Sequence, residues 1–368
     1  MAFCIAFSNK FVRKINYIPV VIFLIFAVSY LQKGGDYKNI KSVSEVLSLI
    51  VCYMIMPTLY FYYNKICTFK QFSTVLIIVF LFTTYSLICT IPFFLTQPGM
   101  IRATASDGPL QILMQQSGAM NYALPHCAIF VIPALCFGYK YSSFKGVKAF
   151  MLLLILETFI IVYIGEATTP LLLGIVSLIL SMAYNAKKSF RTNFVKIVVF
   201  LLFLIPLMSK SFTFFITSFL KNLFNGTEFV NKINELESTL LYGEITGDDV
   251  ESRQDLLDKT MSAFLDNPLF GTLNSDLLGG HNYLLDLLAS LGLLGFIPLI
   301  VWLYYIVKKT YFSLPHFCRF YYVVGISTFL IQACTKNVWA EEFFFFSFFI
   351  LPCVLIYLCK SSYLRVQR

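Results

Sequence analysis

Two residues of this 368-residue chain combine reactive chemistry with a setting that could use it, Arg253 and His281. His281 precedes Asn282 at the mouth of a long apolar stretch, and an imidazole there can serve as acid, base or hydrogen-bond donor near neutral pH. Asn282 is a good N-cap, and the helix it opens would present free backbone N–H groups and partial positive charge, an end that suits a phosphate. Arg253 sits beside the apolar stripe of an amphipathic segment, where its planar guanidinium could fold over the mouth of a helix bundle and fork a diphosphate. The alternative reading pairs Arg253 with Asp249 or Glu251 and leaves His281 an ordinary interfacial residue.

The elements that must position these groups are set by composition. Hydrophobic residues make up 58% of the chain and charged ones only 13%, far from the soluble average and in keeping with a membrane protein. A bilayer core of roughly 30 Å needs about 20 apolar residues per spanning helix. Ten such stretches are expected, at 16–31, 43–63, 72–95, 119–139, 147–165, 168–185, 194–212, 282–307, 319–335 and 340–359. The fold class expected is therefore an all-α polytopic membrane protein, with transmembrane helices in 1–212 and 282–368 around one long loop, 213–281. The first stretch runs into Gln32 and Lys33 without a cleavage pattern, so it reads as a span and not as a signal peptide.

Charge orients the chain. With the N-terminus inside, eighteen of the 28 basic residues fall on the cytoplasmic side, as the positive-inside bias requires. Both termini are then cytoplasmic and the long loop lies outside, carrying eleven of the 19 carboxylates. The net charge of +9 thus reflects topology. No basic and aromatic interleaving of the kind that binds single-stranded nucleic acid is visible. The ten cysteines lie mostly in or beside apolar stretches and show no disulfide or metal spacing. His126, inside a span, and His316, in a cytoplasmic loop, are not placed to join His281 around a metal, so no metal and no cofactor is expected.

Within the loop, Phe229, Ile233, Leu236 and Leu240 recur at helical spacing, as do Leu256, Leu257, Thr260, Met261 and Phe264. The second helix is expected to start with Asp248 as cap and Glu251 reaching back, and to end at Asn267-Pro268. The Phe-rich stretch from Ser211 to Phe224 has the make-up of a segment lying along the outer leaflet. Two carboxyls stand out in the spans. Glu157 is mid-span, where an unpaired charge costs at least about 2.5 kcal/mol, so it should be neutral or hydrogen-bonded inside the bundle. Asp286, a turn and a half below His281, could orient either a catalytic partner or its helix.

From Glu251 to Gly295 the sequence resembles the Wzy-type O-antigen polymerase and O-antigen ligase family. The resemblance rests on Arg253, the turn Asn267-Pro268-Leu269-Phe270-Gly271, the pair His281-Asn282, and Gly292-Leu293-Leu294-Gly295. It implies a GT-C-like fold in the bacterial inner membrane and metal-independent, inverting glycosyl transfer from an undecaprenyl-diphosphate-linked oligosaccharide donor to a similar acceptor at the periplasmic face. A chain-length regulator protein is an implied partner. By the same resemblance Arg253 would hold the donor diphosphate, and His281 would position or deprotonate the acceptor hydroxyl. Asn282 and Asp286 are further substrate-binding candidates by their places next to and below His281. The family often carries another Arg at the outer start of the span at 168–185, where this chain has Gly165-Glu166-Ala167-Thr168-Thr169-Pro170. Arg102, before Ser117-Gly118-Ala119-Met120-Asn121, and Lys336 are the candidates to replace it. Glu341 and Glu342, at the outer start of the last span, are placed either to face the same cavity or to sit at the interface.

Overall fold

In a lipid environment every backbone polar group must be satisfied within its own segment, and helices do this where open sheets do not. The computed structural model follows that rule: no strand occurs among the described residues. These are 56, 59–61, 69–96, 113–114, 116–165, 167–185, 218, 221, 230, 233–234, 237, 248–272, 277–279, 282–335 and 341–360. The helices are α1 (Phe69–Thr96), α2 (Ala123–Ala128), α3 (Ile132–Tyr141), α4 (Lys145–Ile164), α5 (Thr168–Ala183), α6 (Asp248–Asp266), α7 (Tyr283–Ser313), α8 (Arg319–Thr335), α9 (Glu341–Phe344) and α10 (Leu351–Lys360). A 3-10 turn, Ile129–Val131, joins α2 to α3, and a π-helix, Phe345–Ile350, joins α9 to α10.

Among the described residues, five helical stretches are long and apolar enough to cross a membrane: Leu76–Thr96, Ala123–Tyr141, Lys145–Ile164, Tyr283–Ser313 and His316–Cys334. Thr169–Ala183 and Phe345–Cys359 are shorter apolar helices. These seven coincide with seven of the expected spans. The stretches at 16–31 and 194–212, and most of 43–63, lie outside the described residues.

Burial separates centre from rim. Of the most apolar 18 residues of Ala123–Tyr141, 78% are buried, against only 11% of those in Leu76–Thr96. The first is the middle of the bundle, with α4, α5, α8 and α10 all packed against α3. The second presents Phe82 and Leu95 outward, 69% and 74% exposed. An apolar exterior of this kind is suited to a hydrocarbon solvent and not to water. The core is aromatic: Phe130, Phe329, Phe344 and Phe348 meet edge-on or stacked at 5.5–6.2 Å, geometries that favour the ring quadrupoles.

Contacts between helix ends show the chain alternating in direction. At one end, Tyr60 bonds Ser313 at 2.6 Å, Lys140 donates to the carbonyls of Met182 and Tyr184, and Arg319 donates to Leu314 O at 2.9 Å while lying over the Tyr311 ring. At the other, Phe94 meets Tyr163 and Tyr283 meets Phe344. α7 runs six residues past its expected end, because Lys308 and Lys309 lie within the helix and carry their ammonium groups over Tyr304 and Tyr305. Such side chains tolerate a helix end at a membrane surface.

Candidate functional site

The loop helix α6 packs on α7. It ends at Asp266, immediately before Asn267-Pro268 as expected, but Asp248 is its first helical residue and not a preceding cap. The buried side is narrower than the stripe read from sequence. Thr260 and Ala263 are buried and Leu256, Leu257 and Phe264 half-buried, while Met261 turns outward at 43% exposure.

Thr260 is the hub of this contact. Its hydroxyl donates to Asp286 Oδ1 at 3.0 Å, lies 3.1 Å from Leu256 O, and accepts the Gly279 N–H at 2.7 Å. One side chain therefore joins α6, the segment before Gly280-His281, and the first turn of α7. Asp286 is 1% exposed. Of its two expected roles, orienting its own helix against the loop is the one its Thr260 bond serves. Asn282 caps α7 as expected: it is extended (φ −129°, ψ 102°), and its Oδ1 accepts from Leu285 N at 3.1 Å.

A second junction lies one turn and a half deeper. α7 is broken at Gly292, whose φ of 59° and ψ of −177° occupy a region open essentially to glycine alone. In an unbroken helix the Leu293 N–H would go to Ala289 O. Instead Leu293 donates to Pro268 O at 2.9 Å and Leu294 to Leu269 O at 3.1 Å, while Ala289 O accepts from Thr272 N at 2.8 Å. The Asn267–Gly271 turn thus exchanges hydrogen bonds with the broken helix, and backbone groups that would otherwise be stranded are satisfied.

Glycine is required on both sides. A Cβ on Gly271 (φ +74°) would lie 2.6 Å from Gly292 N, and one on Gly292 would lie 2.5 Å from Gly271 N. The Pro-x-x-Gly and Gly-x-x-Gly patterns are therefore two halves of one backbone-to-backbone contact. The sequence predicts one continuous span over 282–307; the structure breaks it at Gly292 and fills the break with the Asn267–Gly271 turn.

The remaining candidates divide plainly. Arg253 has its backbone in α6, seven residues before Thr260 and so nearly on the same face; its side chain lies outside the described residues. His281, Arg102, Lys336 and the side chains of Glu341 and Glu342 lie outside them as well. The stretch that lacks the second Arg opens α5 at Thr168. Within the bundle, His126 is buried, hydrogen-bonded through Nδ1 to Gln332 and edge-on to Tyr122 at 4.7 Å. Gln332 had no signal in the sequence beyond being a polar residue in a span. In the loop, Lys221 pairs with Glu237 and Ile233 is buried, as its helical spacing implied. No cluster of three or more His, Cys, Asp or Glu suited to a metal occurs among the described residues. Compared with known proteins, the chain matches no family model, and no curated protein matches it.

Proposed function

We propose that this chain is a glycosyltransferase of the bacterial inner membrane, a polymerase that joins undecaprenyl-diphosphate-linked oligosaccharide repeat units of an O-antigen or capsule at the periplasmic face. The observation that carries the reading is the junction of α6 with α7. The helix bearing Arg253, the Asn267–Gly271 turn and the Gly292–Gly295 pattern are the parts on which the resemblance rests, and they meet through Thr260, Asp286 and the Gly271–Gly292 contact. A single residue, Gly280, separates Gly279, held by Thr260, from His281. An arrangement that ties an exterior loop to a membrane helix at two points gives the fixed geometry that transfer between two lipid-anchored substrates needs.

The chemistry is an inverting displacement. The acceptor hydroxyl attacks the anomeric carbon of the donor, and the bond from that carbon to the diphosphate breaks with its electron pair leaving on the phosphate oxygen. Arg253 neutralises the charge that grows there. His281 orients the acceptor hydroxyl and takes its proton. No metal or cofactor enters the scheme, and a chain-length regulator is the expected protein partner. Replacing either Arg253 or His281 with Ala should abolish long polysaccharide chains while single capped units and protein levels persist; normal chain ladders in both variants would sink the assignment.

Two other readings have supporting features. A ligase would pass finished chains to the lipid A core by nearly the same chemistry, and deletion separates the two: loss of a polymerase leaves single units, loss of a ligase strands long chains on the carrier. A transporter or flippase of lipid-linked sugars is favoured by the broken helix at Gly292, since discontinuous helices commonly mark transport sites. Against it, the amides of Leu293 and Leu294 are taken by the Pro268–Gly271 turn and do not line an open cavity.

A further inference from the structure

The apolar side of α6 is wider than the part of it that α7 covers. Beyond the buried Thr260 and Ala263, it continues through Leu257, Met261 and Leu265, four residues apart and so aligned on one flank of the helix. Leu257 is half-buried, Met261 43% and Leu265 66% exposed, and the turn that follows adds Leu269 at 53% and Phe270 at 42%. Asp255, Asp258, Ser262 and Asp266, all exposed, hold the polar side. The apolar flank does not end at the turn. Leu294 N donates to Leu269 O, and from there exposed Leu293, Leu294, Ile297, Val301 and Tyr304 carry an apolar stripe along α7. α7 is long and apolar enough to cross a membrane, and such a stripe on a crossing helix faces hydrocarbon.

The level of the turn along α7 names what covers the flank. Measured from Lys308, whose ammonium lies over Tyr304, a hydrocarbon core of roughly 30 Å ends close to Asp286, about 33 Å away at the helical rise. Leu293 is about 22 Å from Lys308 on the same rise, and so about 8 Å inside that core. Thr260 meets Asp286 and Pro268 meets Leu293. α6 therefore runs beside α7 in the same direction, and the turn at 267–271 is its deepest part. Non-helical chain at such a depth needs its polar backbone groups taken up by protein. The carbonyls of Asn267, Pro268 and Leu269 and the amides of Gly271 and Thr272 are all hydrogen-bonded within the chain, and proline has no amide to satisfy. We infer that α6 is a membrane wedge, with the Leu257, Met261 and Leu265 flank and the Leu269-Phe270 tip sunk among the acyl chains of the leaflet farther from Lys308, and its acidic side turned to water. An interfacial amphipathic helix buries its apolar face about 5–10 Å into the boundary, the level that Leu293 marks. The inference goes beyond the proposed glycosyl transfer and does not depend on it.

Collisional relaxation of spin labels tests the placement. The full-length protein, its ten cysteines replaced, is reconstituted in nanodiscs of phosphatidylethanolamine and phosphatidylglycerol and labelled singly at Leu265→Cys, Leu269→Cys, Asp258→Cys or Ile297→Cys. Oxygen partitions into hydrocarbon, whereas a nickel chelate stays in water. Labels at 265 and 269 should relax with oxygen in preference to the chelate, as the label at 297 does, at a depth of about 5–10 Å. The label at 258 should prefer the chelate. Should the protein without cysteines fail to fold, Leu269→Trp in the chain with its native cysteines decides alone: the added fluorescence should be quenched by lipids brominated along the acyl chain and not by aqueous iodide. Chelate reaching 269 as readily as 258, or iodide quenching of the added tryptophan, would overturn the proposal. Shielding of 269 from both kinds of reagent, as cover by a second copy or by another stretch of this chain would give, would overturn it too.

Discussion

Asp286 and Glu157 are both buried carboxyls on apolar helices, and each accepts a hydrogen bond from a threonine of another helix. Their surroundings differ in kind. Thr260 also accepts the Gly279 N–H, so the Asp286 contact ties α6 and the segment before α7 to the start of a long apolar helix. Thr84 and Glu157 join two spans beside an apolar cleft, and the same Thr84 hydroxyl lies 3.0 Å from Phe80 O of its own helix. The same pairing of residues thus fixes backbone geometry in one place and accommodates a polar group in the other. Removing it should change tertiary order at the junction and little beyond local packing at the cleft.

The largest effect is expected where backbone meets backbone. Gly292→Ala must place a Cβ against the Gly271 amide in a conformation closed to alanine, at a cost of more than about 4 kcal/mol. The variant should lose the α6–α7 contact, read as protease sensitivity of the loop and a lowered Tm in detergent. Next comes Thr260→Val, which deprives both Asp286 and the Gly279 amide of a partner and should cost about 2–3 kcal/mol. A double-mutant cycle with Asp286→Asn should return a coupling of about 1 kcal/mol; additive effects would break the claim that the two act together.

Smaller still is Asn282→Ala, which removes the α7 cap for about 1 kcal/mol, measurable by denaturant or thermal titration. Smallest is Thr84→Val, about 0.6 kcal/mol, the average found for hydrogen bonds between membrane helices. A loss at Thr84 as large as that at Thr260 would erase the contrast between the two carboxyls.

Much of this was legible in the sequence, for reasons that particular residues make clear. Long apolar runs bounded by charge gave α1, α4 and α8 nearly to the residue, because the bilayer tolerates few alternatives to a helix. Asn282 as cap and Asn267-Pro268 as a helix end followed from local chemistry alone. Partners distant in the chain did not. Thr84 is 73 residues from Glu157 and Thr260 is 26 from Asp286, and periodicity says which face a residue occupies, not what it meets. The break at Gly292 escaped for a related reason. Gly292-Leu293-Leu294-Gly295 reads as small residues in a packed helix, and only the turn arriving from 267–271 makes its left-handed backbone favourable. The junction was visible as motifs, while its geometry depended on two segments meeting.

The central claim, that the α6–α7 junction brings Arg253 and His281 to one place, is open to a direct distance measurement. Arg253 is two helical turns, about 10 Å, from Thr260, and His281 is at most about 7 Å of chain from Gly279, so their Cα atoms should lie within about 20 Å. Double electron–electron resonance between spin labels at 253 and 281, in protein whose ten cysteines are replaced, should show a single narrow distribution in that range. A separation beyond about 30 Å, which the chain lengths from Thr260 and Gly279 do not allow, or a broad distribution that Gly292→Ala leaves unchanged, would contradict it.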